Sequence, residues 1–452
     1  MAIGAAGGND APGAGRMKES NIHEPWLGDV PLDWVSSRIK NVALLSPGFS
    51  GKNPTQHELC IVLPMELLSD NGTIDISNIQ SYEDVLSGLT IFEAGDVLFA
   101  KITPCMENGK GAYVEALSTR YAFGSTEYHV LRSLHKVQGK FLYYYTKNSV
   151  FREYAAENMT GAAGQKRVSS RFLKETRLFL PPLPEQIRIA AYLDASCAAI
   201  DAAVNAKKKQ LESLIEMKKE TLHRAFNHAE WPVERVKDLA IKIGSGVTPD
   251  GGSAGYLDEG IPLLRSQNVH FDGLRLDDVA FIAPETHREM RNSQLKPHDV
   301  LLNITGASIG RCSYVPDDFG EGNVNQHVCI IRPGHRLHFR FLAEYLSSPM
   351  GQGQIMSTFT GASRQGLSHK DLGLIRIPAP SIETQSEVVA SLNTAEKQRS
   401  KLFSNIESQI ATLIDYRKSL IHECVTGQRR ISEADVAKVE RTLEQAAGLP
   451  QQ

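Results

Sequence analysis

The second half of this 452-residue chain repeats the landmarks of the first half in the same order, and this duplication restricts the possible folds most. WVSSRIKNVA near the start returns later as WPVERVKDLA, and GDVLFAKI returns as HDVLLNIT. The copies are about 200 residues apart, far longer than a solenoid repeat, so each copy should be a whole domain. The matched residues include Trp34 and Trp231, Asp96 and Asp299, Phe141 and Phe341, and Gln186 and Gln385.

Each copy is followed by a long segment with helical periodicity. Over residues 383–427, seam residues recur in alternating steps of four and three, the pattern of a helix packed lengthwise on another helix. Arg399 and Gln409 interrupt this seam, and Gly427 suits a C-terminal cap. Residues 185–227 show a weaker seam, so we predict that the two segments pair; ordinary long surface helices are the alternative. The clearer seam consists of Val388, Leu392, Ala395, Arg399, Leu402, Ile406, Gln409, Leu413, Tyr416 and Leu420.

Within each copy, short strand-like runs punctuated by Gly, Asn, Asp and Pro surround one amphipathic helix, which predicts an α+β domain. We therefore predict two similar α+β domains separated by two long helices that form a coiled coil. The predicted strands lie at 96–102, 111–117, 127–131 and 177–180, then at 299–304, 311–315, 327–332 and 374–377; the helices lie at 140–159 and 340–359. The predicted segments are a flexible tail (1–24), a first domain (25–183), a central helix (184–229), a second domain (230–382), a C-terminal helix (383–427) and a C-terminal tail (428–452).

Composition narrows the class of protein. Hydrophobic residues make up 41% and charged residues 22% of the chain, as in globular proteins, and no apolar run is long enough to span a membrane. The six cysteines form no CxxC pair, which argues against a zinc site or a disulfide framework and fits a reducing cytoplasm. The formal net charge of −3 is weak evidence against nucleic-acid binding, because binding needs only a local basic face.

No catalytic motif is found in the sequence. It contains no P-loop, no HExxH pair and no methyltransferase-type Asn/Asp-Pro-Pro-aromatic motif. The Gly-rich stretches GSGVTP and GASIGR are predicted to form turns. Glu216-Met217-Lys218 resembles a nuclease Glu-x-Lys pair, but it lies on a predicted long helix, where a solvated helix face is the simpler interpretation.

Polar and basic side chains that suit DNA cluster in loops of both copies. Arginine suits guanine edges and phosphates, whereas glutamine and asparagine suit adenine edges. A solvated loop is the alternative for each single residue. The predicted DNA-binding residues are Lys166, Arg167 and Arg171 in the first copy, and Arg265, Gln267, Asn268, Arg364, Gln365 and Lys370 in the second.

Taken together, these motifs resemble the specificity subunits of type I restriction-modification enzymes over residues 25–427. The resemblance rests on PPLPEQ before the first long helix, the paired Thr-Gly loops, SGVTPDG followed by GIPLLRSQNV, LKPHDVLLNITGASIGR, VNQHVCIIRP and SLIHECVTG. It implies two target-recognition domains, each recognising one half of a split double-stranded DNA site. It also implies that the long helices pair antiparallel and act as a spacer.

The resemblance further implies that this chain does no chemistry and binds no cofactor or metal itself. Two methyltransferase subunits would use S-adenosylmethionine, and endonuclease/translocase subunits would use ATP and Mg²⁺, all in the cytoplasm and without a membrane. Because the copies differ outside framework positions, we expect two different half-sites. A coiled-coil scaffold without DNA binding and a single-chain DNA-modifying enzyme are the alternatives.

Overall fold

The structure is a computed structural model that describes residues 17–18, 27, 30–162, 164–248, 252–360 and 366–446. The chain divides into two compact units. Unit 1 consists of Met1–Lys207 and Gln409–Gln452, and unit 2 consists of Lys208–Ser408. Each unit therefore contains one copy of the duplication and one end of each long helix. The domain boundaries predicted from the sequence stay predictions.

Unit 1 has two four-stranded sheets. One is antiparallel in the order β4-β11-β8-β9, and the other has the order β6-β5-β10-β7 with β5 and β10 parallel. The strands are β1 (Met17–Lys18), β2 (Val30–Pro31), β3 (Val35–Arg38), β4 (Ala43–Leu45), β5 (Leu59–Leu63), β6 (Ile79–Ser81), β7 (Thr90–Phe92), β8 (Asp96–Ala100), β9 (Gly111–Tyr113), β10 (Tyr121–Gly124), β11 (Tyr128–Ser133) and β12 (Arg177–Leu180). The helices are α1 (Ile39–Val42), α2 (Gly139–Lys147), α3 (Ser149–Glu157), α4 (Ser170–Glu175) and the long α5 (Leu183–Phe226), which continues into unit 2.

Unit 2 repeats this arrangement. Its antiparallel sheet has the order β14-β22-β19-β20, and its mixed sheet has the order β18-β15-β21 with β15 and β21 parallel. The strands are β13 (Val233–Arg235), β14 (Ala240–Ser245), β15 (Ile261–Leu264), β16 (Val269–His270), β17 (Gly273–Leu274), β18 (Ala280–Ile282), β19 (Val300–Asn303), β20 (Cys312–Tyr314), β21 (Asn323–Val324), β22 (Val328–Pro333) and β23 (Arg376–Pro378). The helices are α6 (Val236–Leu239), α7 (Pro284–Glu289), α8 (Phe339–Ser347), α9 (Pro349–Thr360), α10 (His369–Leu374) and the long α11 (Ile382–Thr426).

The central strand of each antiparallel sheet is buried on both faces. In β8, Val97 and Phe99 pack in the core that contains α2 and α3, whereas Leu98 packs in a second core with the mixed sheet. Alternate residues of a strand point to opposite faces, so an uninterrupted apolar run is what a strand between two layers requires. In β19, Leu301 and its neighbours divide between two cores in the same way. Each domain is thus a helical layer, an antiparallel sheet and a mixed sheet, which confirms the α+β prediction.

The prediction of a single amphipathic helix in each copy is wrong in one respect. The structure has two consecutive helices in that segment, α2 and α3 in unit 1 and α8 and α9 in unit 2. In unit 1, Asn148 ends α2, and its side chain accepts a hydrogen bond from the Val150 amide (3.1 Å), which caps α3. In unit 2, Pro349 begins α9, where its lack of an N–H costs nothing. Apolar periodicity passes through both breaks, so it could not reveal them.

The two long helices pair within each unit, and the pairing is antiparallel. In unit 1, Arg417 of α11 donates to Asp201 of α5 (2.9 Å). In unit 2, Lys218 of α5 lies 3.6 Å from Glu396 of α11, so positions on α11 fall as positions on α5 rise. Gly427, with φ +78°, follows α11 as the predicted cap.

The predicted seam is only partly buried. Leu392 and Leu420 are buried, but Leu402 is 52% exposed and Tyr416 49% exposed. The buried face also includes Val389, one position past the predicted Val388. A helix with 3.6 residues per turn drifts relative to a strict heptad, and this drift moves the contacting face by one position.

A helix, α12 (Glu433–Ala446), lies within the segment that we expected to be a C-terminal tail. Ser432 caps its first turn, because its hydroxyl oxygen accepts a hydrogen bond from the Asp435 amide (3.3 Å), and the same hydroxyl donates to the Asp435 carboxylate (2.6 Å). Val436 and Val439 pack against the core of unit 1. None of the described helices is both long and apolar enough to cross a bilayer.

One buried ion pair recurs in both domains and explains a sequence landmark. Asp96 at the start of β8 accepts two hydrogen bonds from Arg132 of β11, at 2.8 and 2.7 Å. Asp299 accepts two from Arg332, at 2.6 and 2.7 Å. Both aspartates are fully buried, and each also accepts a bond from the amide three residues earlier (2.8 Å in both copies).

Removing one partner of this pair should destabilise the fold strongly. We expect Asp299→Asn to lower the free energy of unfolding by about 3–5 kcal/mol, because it leaves the Arg332 charge largely buried without its counter-ion. The exposed pair Arg235–Asp238 supplies a control. Asp238→Asn should change stability by less than about 1 kcal/mol in the same urea titration. Equal losses in the two variants would contradict a structural role for the buried pair.

Candidate nucleic-acid interface

The predicted basic loop of unit 1 lies at the end of β8 and the start of β11. The Lys101 amide donates to the Glu127 carbonyl (2.9 Å), and the Val168 amide donates to the Lys101 carbonyl (2.8 Å). Thr160 and Arg167 exchange two backbone hydrogen bonds (3.0 and 2.8 Å), which close the loop on itself. We call the ends of these strands, together with residues 160–162 and 164–168, the recognition edge of unit 1.

Lys166 and Arg167, two of the three DNA-binding cations predicted in unit 1, differ in whether their side chains have a partner within the protein. Lys166 is exposed, and its side chain has no hydrogen bond or ion pair with any described residue. Arg167 instead forms a fork with Glu127, at 3.0 Å from Nε and 2.8 Å from Nη2. Hydrogen bonding to Arg167 lowers the pKa of Glu127, and the same bond raises the pKa of Arg167. Lys166 is therefore the available cation, whereas Arg167 is held in place.

The third cation, Arg171, is exposed on α4, next to the recognition edge in sequence. Beneath the loop, His129 is buried and bonds through Nε2 to the Val168 carbonyl (2.9 Å). Because a carbonyl only accepts, Nε2 carries the proton. Burial lowers the pKa of His129, so the ring stays neutral and supports the loop without adding charge.

Unit 2 builds the same edge with different side chains. The Ile304 amide donates to the His327 carbonyl (3.0 Å), and the Leu367 amide donates to the Ile304 carbonyl (2.9 Å). His327 thus occupies the position that Glu127 occupies in unit 1. We call the ends of β19 and β22, with the turn Gly306–Ser308, the recognition edge of unit 2.

The three residues predicted around β15 in unit 2 lie together, but their side chains are engaged within the loop. Arg265 donates to the Asp278 carbonyl (3.1 Å), and Gln267 donates to the Asp278 carboxylate (2.5 Å). Asn268 is only 1% exposed and donates to the Arg275 and Asp278 carbonyls. Burial and these bonds make Asn268 a support of the loop, and they do not favour the predicted base contact.

Of the three remaining predicted residues, the structure describes only Lys370. Arg364 and Gln365 are outside the described residues. Lys370 is exposed in α10, beside His369, which accepts a hydrogen bond from the Ser245 amide (3.1 Å). Gln267 lies at the recognition edge of unit 2, near Thr305 and His327, which the sequence prediction did not select.

Sequence reasoning missed several polar residues at the recognition edge of unit 2. The stretch GASIGR is a turn between β19 and β20, as predicted, but its arginine, Arg311, also lines an open pocket. The pocket has a volume of about 450 Å³. Its other polar residues are Ser266, Gln267, Thr305, Ser308 and His327. Their only sequence signal is a concentration of Asn, Gln, Ser and Thr at the ends of apolar strands.

The described residues contain no cluster of His, Cys, Asp or Glu that could hold a metal ion. What the recognition edges offer is hydrogen-bond donors, acceptors and single cations on a surface. Such side chains suit base edges and phosphates. The fold and these edges define a class of protein with two copies of one α+β domain, each presenting a polar edge and each followed in sequence by a long helix that pairs with the other.

Comparison with known proteins identifies the family. A model of the type I restriction modification DNA specificity domain matches residues 31–213 and again residues 230–412. These two matches cover most of the chain, and the chain belongs to this family.

Several curated relatives carry specificity-subunit names. The EcoAI specificity subunit of Escherichia coli is 33% identical over 162 residues, which are 36% of this chain and 27% of the relative. The EcoBI specificity subunit of Escherichia coli is 24% identical over 298 residues, covering 60% of this chain and 62% of the relative. This chain therefore matches less than two thirds of either protein. The putative MjaX specificity subunit of Methanocaldococcus jannaschii is 24% identical over 405 residues, covering 84% of this chain and 90% of the relative.

Two solved structures share the fold. A chain from work on complex assembly and conformational transition of the type I R-M system has a TM-score of 0.71 and 20% identity, covering 88% of this chain and 98% of that one. The HsdS subunit from Thermoanaerobacter tengcongensis has a TM-score of 0.53 and 18% identity, covering 90% and 99%. These likenesses confirm the predicted architecture of two α+β domains and two long helices.

Breaking the Arg167–Glu127 pair should change how strongly DNA affinity depends on salt. We expect Glu127→Gln to release Arg167 and to make the slope of log affinity against log salt more negative by about one unit. Because the pKa of Glu127 is lowered, the pair persists at neutral pH, and acid releases Arg167 only below the ordinary pKa of a glutamate. The measurement is a salt titration of binding to duplex DNA.

Two variants control for charge in this titration. Glu153→Gln removes an exposed carboxylate on α3 and should leave the slope unchanged. Lys166→Ala should make the slope less negative by about one unit. If Glu127→Gln and Glu153→Gln shift the slope equally, long-range charge explains the effect and the Arg167–Glu127 pair does not.

Proposed function

We propose that this chain is the DNA-specificity subunit of a type I restriction-modification complex. Each α+β domain recognises one half of a split, asymmetric site in double-stranded DNA. The paired helices keep the two domains at a fixed separation, so the base pairs between the half-sites are not recognised. The observation that carries the proposal is the tandem match to a DNA specificity domain over two copies of one framework.

The difference between the two recognition edges supports an asymmetric site. Unit 1 presents an ion pair between Glu127 and Arg167, whereas unit 2 presents His327 at the position that corresponds to Glu127. In unit 1 a carboxylate is paired with a guanidinium, whereas in unit 2 an imidazole has hydroxyl neighbours. The two sets offer different patterns of hydrogen-bond donors and acceptors. The same framework should therefore select different bases in its two copies.

The chemistry in this proposal belongs to partner subunits. Two methyltransferase subunits bind this chain and use S-adenosylmethionine, and endonuclease/translocase subunits that use ATP and Mg²⁺ join through the complex. This chain contributes recognition and assembly, and it contributes no catalytic residue. The complex works in the cytoplasm, and the free cysteines of the chain are compatible with a reducing compartment.

Exchange of one domain tests the proposed function. Replacing residues 34–180 with the matching domain of a relative should change one half of the methylated site and leave the other half and the spacing unchanged. The reason is that each framework is complete within its own unit, with its own buried ion pair and core. The measurement is a map of methylated positions in DNA exposed to the assembled complex.

Two outcomes of the exchange would contradict the proposal. A change in both halves would mean that the domains do not recognise DNA independently. Methylation by this chain alone, without partner subunits, would instead favour a single-chain modifying enzyme. An absence of DNA binding at every salt concentration would favour a coiled-coil scaffold.

The spacing between half-sites should follow helix length. We expect one additional heptad after Leu211 and one near Ile406 to widen the gap by about three base pairs, since seven residues of helix add about 10 Å. These positions are opposed in an antiparallel pair, and a heptad nearly preserves the phase of the seam because two turns take about 7.2 residues. The methylation map should show both half-sites unchanged and a larger gap. An unchanged gap at full activity would mean that the helices do not set the spacing.

A further inference from the structure

The open pocket at the recognition edge of unit 2 contains a cation that the fold leaves free. Arg311 is half-buried, and no described residue forms a hydrogen bond or ion pair with its guanidinium. In unit 1 the matching residue is Lys110, also one position after a glycine, and its ammonium donates to the Met65 carbonyl (2.9 Å). The same framework position is thus used internally in unit 1 and faces a pocket in unit 2.

A chain of hydrogen bonds crosses this edge in one direction. The Thr248 hydroxyl donates to Oε1 of Gln326 (2.5 Å), and the amide nitrogen of Gln326 donates to Nε2 of His327 (2.9 Å). Because Nε2 accepts, Nδ1 of His327 carries the ring proton and donates to the Thr305 hydroxyl oxygen (2.6 Å). Each group in the chain therefore has one orientation.

Thr305 is the last residue of this series of hydrogen bonds. Its oxygen already accepts a hydrogen bond from His327, and no described residue accepts the proton of its hydroxyl. That proton is left for a partner in the pocket, which Thr305 and Arg311 both line. Arg311 supplies charged donors there and Thr305 a neutral one, and the hydroxyls of Ser266 and Ser308 also line the pocket. The amide of Gln267 is held by Asp278 (2.5 Å) and adds no free donor.

Donors of this kind need a ligand with closely spaced acceptors. In the major groove, guanine presents two adjacent acceptors, N7 and O6, and arginine binds them as a fork. Adenine presents a donor beside its acceptor, so it would place one donor against another. Phosphate oxygens are also acceptors, but the pocket contains one cation and no second charged side chain without a partner among the described residues.

We infer that Arg311 recognises a guanine in the half-site bound by unit 2, with the Thr305 hydroxyl as an auxiliary donor held by His327. This inference rests on the proposed function and names one specificity-determining residue and its base. His327 and Gln326 act as positioning residues, because they fix the direction of the hydrogen-bond chain without reaching the pocket through their own protons. At the matching position of unit 1, the Lys110 ammonium donates to the Met65 carbonyl and lacks the planar fork of an arginine.

The test is the methylation map of the assembled complex with variants of this residue. Arg311→Ala should relax the specificity at a single G·C pair by about 5- to 150-fold, in the half-site that changes when residues 230–382 are exchanged. The other half-site and the spacing should stay the same. Thr305→Val, which removes the hydroxyl and keeps the shape, should relax specificity at that same pair by a smaller factor.

Arg311→Lys separates base recognition from charge. A lysine keeps the charge but lacks the planar fork, so discrimination should fall while the salt dependence of DNA binding stays unchanged. A uniform loss of affinity in Arg311→Ala, with a salt slope reduced by about one unit and discrimination retained at every position, would show a phosphate contact and overturn the inference. Unchanged thermal unfolding of the variants excludes misfolding as the cause.

The outcomes also separate this inference from the proposed function. If the wild-type complex methylates no split site, the proposed function fails and this inference fails with it. If the wild-type complex methylates a split site and Arg311→Ala leaves every position of it unchanged, the inference alone is wrong. Relaxation at an A·T pair would likewise overturn it, because the donors of Arg311 and Thr305 match the two adjacent acceptors of guanine.

Discussion

The buried carboxylate–guanidinium pair between the two central strands is the interaction on which each domain depends. Asp96 begins β8, and Asp299 immediately precedes β19. Each aspartate accepts hydrogen bonds both from an arginine of the neighbouring strand and from a backbone amide in the turn before its own strand. A buried charge is tolerated only when it is paired and hydrogen-bonded, so this arrangement fixes the relative register of the strands. The opposite ends of the same strands carry the recognition edge, which inherits that register.

A second repeated contact couples each domain to its long helix. Gln186 accepts a hydrogen bond from the Gln138 amide and donates to the Pro181 carbonyl (both 2.8 Å). Gln385 makes the same two contacts, with the His338 amide (2.8 Å) and the Pro380 carbonyl (2.9 Å). One side chain at the start of each helix thereby holds the helix to the turn that precedes α2 or α8. Within each unit, the direction of the helix is therefore set by the domain.

Sequence reasoning found what periodicity and repetition encode, namely the duplication, the α+β class and the two long helices with Gly427 as the cap. It missed what depends on distant segments meeting. Thr248, Thr305 and His327 are far apart in sequence, and only the strand topology joins them in one hydrogen-bond chain. Asn268 had the right chemistry for a base contact, but chemistry alone does not reveal that a side chain is buried beneath its loop.

The recognition edges are held by the main chain, and this explains how one framework can carry two specificities. In unit 1 the edge is closed by bonds between the Lys101, Glu127 and Val168 backbones, and in unit 2 by the same bonds among Ile304, His327 and Leu367. Backbone hydrogen bonds do not depend on side-chain identity, apart from proline. A glutamate can therefore stand where the other copy has a histidine without disturbing the strands. The buried ion pair at the far end keeps the domain folded while the side chains at the edge differ, so stability and specificity reside in different residues of the same strands.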